Sequence, residues 1–202
     1  MEFGYTGRIQ QRFVTSGFDT LGRWAWVQFA GTASVFRIYS VYRVNHNSDY
    51  NTGESTAWCQ QREILLNNGL KTNPRKQVII DLSAEIEPLI NEGFSVLVMG
   101  DMNETLSGPE KTNSKFFDIG LINILQNRIG DGLPMTHKKG TKEIDHVWGT
   151  QTVVNAITAA GYAPFNYIDG SDYRALIFDL DLRMILDHDL ENVKQIAQGR
   201  LK

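Results

Sequence analysis

The run VLVMGDMNE (residues 96–104) decides how this sequence is read. With Phe94 and Ser95 in front of it, the stretch FSVLVM (94–99) is short and continuously apolar, the pattern of a strand buried on both faces. It ends abruptly in Gly100-Asp101-Met102-Asn103, three turn-forming residues in four. Taken alone that is a good turn. Two further β-like runs also carry an aspartate at one boundary: Asp145 in EIDHVWG (143–149), and Asp172 just before YRALIFDLDL (173–182). Strand ends are where a rigid sheet presents side chains to a ligand. Acidic oxygens from several such ends can converge on a hard divalent cation, which would polarise a phosphate oxygen and orient a water.

Outward from this run the pattern is mixed. WAWVQF (24–29), turn material at 31–34 and VFRIYSVY (35–42) read as an antiparallel hairpin whose aromatics fill a core. A polar loop follows at 45–55, where His46 and Asn47 could face a substrate. Ser55 or Thr56 caps a helix through QQREILLN that ends at Gly69. A second helix starts at Asn73 with Pro74 as its first residue and ends at Gly93, and Pro88 should kink or fray its last turn. Further helices are expected over 112–119, 152–160 and 183–199, whereas residues 1–20 read as irregular chain. Hairpins combined with strand–helix alternation give an α+β, mixed-sheet domain with helices packed on the sheet.

Composition narrows the function. The 202 residues are 42 % hydrophobic and 21 % charged, ordinary globular values that exclude disorder or a low-complexity scaffold. Twenty Lys and Arg against twenty-three Asp and Glu give a net charge of −3, which argues against a general electrostatic grip on nucleic acid. A local strip such as Lys138, Lys139 and Lys142 beside one site stays compatible with that balance. The single Cys59 makes no internal disulfide and no cysteine-based zinc site, so an intracellular home, nuclear or cytoplasmic, is the expectation. The longest apolar runs are about seven residues against the ~20 of a membrane span, and the N-terminus lacks a signal-peptide core. No membrane partner is expected.

The ordered series LGRWAW, VYRV, VLVMGDMNE, MTHKKGTKEIDHVWG and SDYRALIFDL resembles the endonuclease/exonuclease/phosphatase superfamily, in particular the endonuclease-like domains of mobile elements such as retrotransposons. The resemblance runs from about Gly22 to Leu182. It implies a four-layer α/β/β/α sandwich, with 1–22 as an irregular lead-in, 23–182 as the domain and 183–202 as a C-terminal helix. It also implies Mg²⁺, or Mn²⁺ in its place, and a substrate that is DNA or another phosphate ester.

Carried over residue by residue, Asp101 and Asn103 match a GD-x-N motif, in which the Asp activates water and the Asn holds the phosphate. Tyr42 matches a tyrosine that lines the phosphate site, although as a bare strand-end residue it reads equally as a core aromatic. Asp145 matches a supporting carboxylate, and Asp172 the aspartate of an S-D-H motif that binds metal, here with Asp101, or orients the neighbouring histidine. Thr136 is a weaker match to a polar residue near the phosphate.

Two departures accompany these matches. Tyr173 stands where the family's S-D-H motif has histidine, and with a reference pKa near 10 it shuttles protons poorly at neutral pH while still able to donate a hydrogen bond. His137 and His146 do not occupy the matching position, and alternation turns His146 to the face opposite Asp145. In addition, no early strand bears the family's metal-binding glutamate, so the domain is expected to be N-terminally truncated, to hold metal weakly, and to carry an exposed sheet edge prone to self-association. The expected function is therefore a Mg²⁺-dependent phosphodiester hydrolase of endonuclease type with impaired catalysis. The alternatives are a non-catalytic phosphate- or nucleic-acid-binding module and a phosphomonoesterase of a small molecule or lipid headgroup.

Overall fold

The computed structural model describes residues 7–45, 53, 55–107 and 112–186. Its frame is a six-stranded sheet built from β1 (Phe13–Phe18), β2 (Trp24–Ala30), β3 (Val35–Tyr42), β4 (Ser95–Asp101), β5 (Ile122–Asn123) and β6 (Asp145–Gly149). The strand order is β1-β2-β3-β4-β6-β5. Only β3 and β4 run parallel; every other pair is antiparallel. A parallel pair requires a crossover. Here it contains α1 (Ala57–Asn67) and α2 (Pro74–Asn91).

Side-chain alternation divides the core between the two faces of this sheet. Val96 and Val98 of β4 point to one face, with Tyr39 and Val41 of β3 and Trp148 of β6. There they meet Val78, Leu82 and Ile86 of α2 and Phe116 of α3 (Thr112–Asp118). Leu97 points the other way, with Phe29, Phe36 and Val147. That face is covered by α4 (Ile124–Ile129), α5 (Gln151–Ala156), α6 (Leu182–Ile185) and a second sheet of β7 (Ile157–Tyr162) and β8 (Leu176–Leu180). Burying a side chain such as Leu82 or Ile86 contributes roughly 1.5–3 kcal/mol relative to leaving it in water. The expected α+β, mixed-sheet sandwich is the observed architecture.

Local signals set several boundaries. The Thr56 hydroxyl accepts the Cys59 N–H at the start of α1, and Asn73 Oδ1 accepts the Arg75 N–H at 2.8 Å at the start of α2. Pro88 does not fray α2, which continues to Asn91. It lies in the last turn, which closes as the Glu92 N–H donates to the Pro88 carbonyl at 2.9 Å.

Other expectations are corrected. The lead-in is not irregular throughout, because Phe13–Phe18 pairs with β2 along its length. As an edge strand with nearly every side chain exposed, it has no alternation for a reader to find. The helix expected over 152–160 stops at Ala156, and the chain becomes β7. The β-branched Ile157 and Thr158 give their carbonyls to the Arg128 guanidinium at 2.9 and 2.6 Å, and β8 supplies a ladder. The regular strand within 173–182 is confined to Leu176–Leu180. Of the expected C-terminal helix only Leu182–Ile185 is seen, and residues after 186 lie outside the described residues, as do His46 and Asn47.

Candidate functional site

Register assembles the centre of the site. At the C-terminal end of β4, Tyr42 pairs with Asp101 and Asp101 pairs with Asp145. Alternation places all three on the sheet face that carries Leu97, Met99 and Val147. Directly opposed residues in neighbouring strands bring their side chains within contact range. The two carboxylates therefore share one patch. Burial, and after it the charge of Asp145, pushes the Asp101 carboxyl up to about 7. Asp145 is also raised by burial, against a hydrogen bond from Thr136 and the charge of His137. Its Oδ2 is buried without a partner. The Tyr42 phenol is raised by burial and then by Asp101.

The preceding row explains Gly100. Its φ is +150°, and a Cβ there would lie 1.9 Å from the Val41 carbonyl oxygen, so no side chain fits. The turn that follows is held from beneath. Asn103, at φ +48°, donates its backbone N–H to Asp101 Oδ1 at 2.8 Å and its Nδ2–H to the Arg43 carbonyl at 2.6 Å. Arg43, fully buried, donates to the Arg75 and Met102 carbonyls at 2.9 and 3.1 Å and to Glu104 Oε2 at 2.9 Å. Arg75 reaches the Asn103 carbonyl at 2.9 Å and the Val44 carbonyl. The His146 Nε2–H donates to the Glu104 carbonyl at 2.8 Å, and burial lowers the pKa of its ring.

The opposite rim is built from loops. The Thr136 hydroxyl is buried and accepts the Ile144 and Asp145 N–H groups at 3.1 and 3.3 Å, while its carbonyl accepts the Arg174 N–H at 2.8 Å. His137 and Tyr173 form an isolated antiparallel bridge, with ring centroids 4.8 Å apart and planes at 70°. The exposed Tyr173 phenol is raised by burial and then by Asp101, Asp145, Tyr42 and Asp172, which puts it in the same electrostatic field as the central row. Asp172 itself is about half exposed, with Lys139 Nζ 3.8 Å from its carboxylate.

No family model and no curated relative matches the sequence. Solved structures do. The 3′ phosphatase NExo from Neisseria, determined with a product DNA hairpin, matches with a TM-score of 0.60 at 14 % identity, over 84 % of this chain and 71 % of that one. An AP endonuclease from Archaeoglobus fulgidus gives 0.58 at 13 % identity, over 82 % and 69 %. The human Nocturnin catalytic domain, determined with a sulfate anion, gives 0.53 at 16 %, over 85 % and 61 %. This chain shares the α/β sandwich fold of these three proteins.

Within this sandwich the residues singled out from sequence fall into two groups. Tyr42, Asp101, Asn103 and Asp145 gather at the end of the large sheet, with Tyr173 facing them. The carboxylate opposite Asp101 is Asp145; Asp172 stands at the rim with Lys139. The Thr136 hydroxyl is spent on the backbone beneath Asp145, so it positions that residue rather than meeting solvent. Sequence reasoning passed over Arg43, Arg75 and Glu104. Their signal was an arginine in VYRV and a glutamate closing GDMNE, invisible as a pair until the fold buries both. It also set aside His137, whose charge acts on Asp145 from the rim.

Proposed function

We propose that this chain is a divalent-metal-dependent phosphodiester hydrolase of endonuclease type, acting on DNA, with Asp101 and Asp145 at its centre. The observation that carries the reading is the row Tyr42–Asp101–Asp145 on one face of this sandwich, with Asp145 Oδ2 buried and unpartnered. Two carboxylates raised by burial, one with an orphaned oxygen, fit a hard cation that takes oxygen ligands and keeps several waters. Asp101 and Asp145 would hold Mg²⁺ or Mn²⁺, which when bound polarises a phosphate oxygen. Among the described residues no group of three or more His, Cys, Asp or Glu is arranged for a metal, so affinity should be roughly millimolar. Neighbours of this fold named as a 3′ phosphatase and an AP endonuclease support the substrate class.

The chain's own groups have distinct tasks. Asp101 orients the attacking water toward the phosphorus. The second Nδ2–H of Asn103 and the Tyr42 hydroxyl donate to phosphate oxygens as charge develops. Tyr173 donates a hydrogen bond from the rim but exchanges protons poorly, since its phenol is pushed higher still. Replacing an imidazole in this way should slow turnover by about 10²–10⁴-fold. That same substitution favours the second reading, a phosphate-binding module that no longer turns over. The test is Mg²⁺-dependent nicking of supercoiled plasmid. Slow nicking that Asp101→Ala abolishes is the expected result, and nicking indifferent to Asp101→Ala would overturn the proposal. DNA binding without any nicking would select the binding module instead.

A further inference from the structure

The small sheet and its extension carry two polar side chains with buried atoms that their neighbours leave unsatisfied. Tyr162 pairs with Leu176, and both pack with Ala160, Phe178 and Leu180 on the face turned toward the large sheet. The Ala163 N–H donates to the Ala175 carbonyl at 2.9 Å, extending the ladder by one step, so Arg174 falls on that same inward face. The Tyr162 hydroxyl and Arg174 Nε are buried without hydrogen-bond partners. So is Asp145 Oδ2 on the facing sheet. Thr136 links Arg174 to Asp145, its carbonyl accepting the Arg174 N–H at 2.8 Å and its hydroxyl the Asp145 N–H at 3.3 Å. The Tyr162 phenol is pushed up to about 12 by burial, then by Glu143 and Asp145, with Arg174 opposing.

Arg174 has no carboxylate partner among the described residues; its guanidinium lies 4.3 Å from the Phe165 ring centroid. A buried donor left unmet costs about 1–3 kcal/mol, more when charged, so such an arrangement calls for an acceptor from outside the chain. Glu143, whose Oε1 accepts the Leu106 N–H at 3.2 Å, forms no ion pair with Arg174 among the described residues. A guanidinium fork beside a hydroxyl suits an anion with several oxygens, and phosphate matches it bidentately.

We infer that Arg174 and Tyr162 form an anion-binding wall that holds a phosphoryl oxygen of the substrate opposite Asp145. The assignment of that anion as a phosphate ester rests on the hydrolase reading above. It gives the site a positive charge one residue from Tyr173, on the inward face.

The test is calorimetric titration of inorganic phosphate into the full chain with Mg²⁺ present, beside plasmid nicking. Saturable binding is expected in the unmodified protein. Arg174→Gln should weaken it about tenfold or more, Arg174→Lys should recover part of the loss, and Tyr162→Phe should weaken it about threefold. Lys76→Gln, on the exposed side of α2, serves as control and should leave it unchanged. Absence of saturable binding in the unmodified protein, or equal affinity after Arg174→Gln, overturns the inference. Should Arg174→Gln fail to fold, equal affinities in Arg174→Lys and Tyr162→Phe overturn it. If Asp101→Ala abolishes nicking while phosphate affinity ignores Arg174, only this inference falls. If plasmid is never nicked but phosphate binding requires Arg174, the hydrolase reading falls and the anion wall stands.

Discussion

The turn at 101–104 and the loop at 171–174 both bear on the Tyr173 phenol, yet they are held by different means. In the first, two buried arginines and a buried histidine converge on four residues, the buried Glu104 among them, and Asn103 with its positive φ sits within that frame. In the second, the Ser171 hydroxyl bonds within the loop to Tyr173, the Asp172 carboxylate meets an exposed lysine at 3.8 Å, and the backbone is tied to 136–138 by the Lys138 N–H on the Asp172 carbonyl and the Arg174 N–H on the Thr136 carbonyl, each at 2.8 Å. A backbone far from its preferred conformation persists only where its surroundings over-determine it. The first rim is thus preorganised by buried side chains, whereas the second is anchored through its backbone and leaves the Asp172 and Tyr173 side chains exposed.

Mutations can break this contrast or sharpen it. The largest effect is expected from Arg43→Met, which leaves Glu104 buried without its partner and should cost about 3–5 kcal/mol of stability by urea unfolding. A loss as small as a surface pair's would mean that the first rim is not braced as described. Gly100→Ala comes next. Its methyl group would collide with the Val41 carbonyl, and a loss of about 3 kcal/mol is expected. Preserved stability would show that β3 and β4 can separate at that row.

Asp101 supplies a pH test of the same rim. Its folded-state pKa of about 7 lies above the unfolded value, so the folded state binds the extra proton. This contribution to stability is fully present below about pH 4 and is lost as pH rises toward 7. Asp101→Asn keeps an acceptor for the Asn103 N–H but cannot ionise. It should flatten that dependence and stabilise the protein by about 2 kcal/mol at pH 8, with little change near pH 4. Thermal melts across that range decide, and equal slopes in both proteins would refute the raised value. The smallest effect belongs to the second rim: Lys139→Gln should change stability by less than about 0.5 kcal/mol, because the pair it breaks is exposed.

Much of this fold was legible beforehand, for physical reasons that differ by element. The buried strand 94–99 announces itself because both of its faces must be apolar, and the helices at Thr56 and Asn73 because capping is local chemistry. β1 was not legible, since an exposed edge strand places no demand on its side chains. β7 was misread because Ile157 and Thr158 fit a helix or a strand equally well, and Arg128 and β8 decided between them.

The site divides in the same way. The sequence by itself determined which residue types stand at the strand ends: Gly100, Asp101, Asn103, Asp145 and Tyr173 in place of a histidine. Those follow from turn chemistry and motif order, which are written along the chain. Only the tertiary structure decided that Asp145, and not Asp172, lies opposite Asp101, because partnership across a sheet depends on register. It alone turned Arg43 and Arg75 inward beneath the turn and buried the Tyr162 hydroxyl and Arg174 Nε without hydrogen-bond partners. Burial and pairing are properties of the space between elements, which no single stretch of sequence contains.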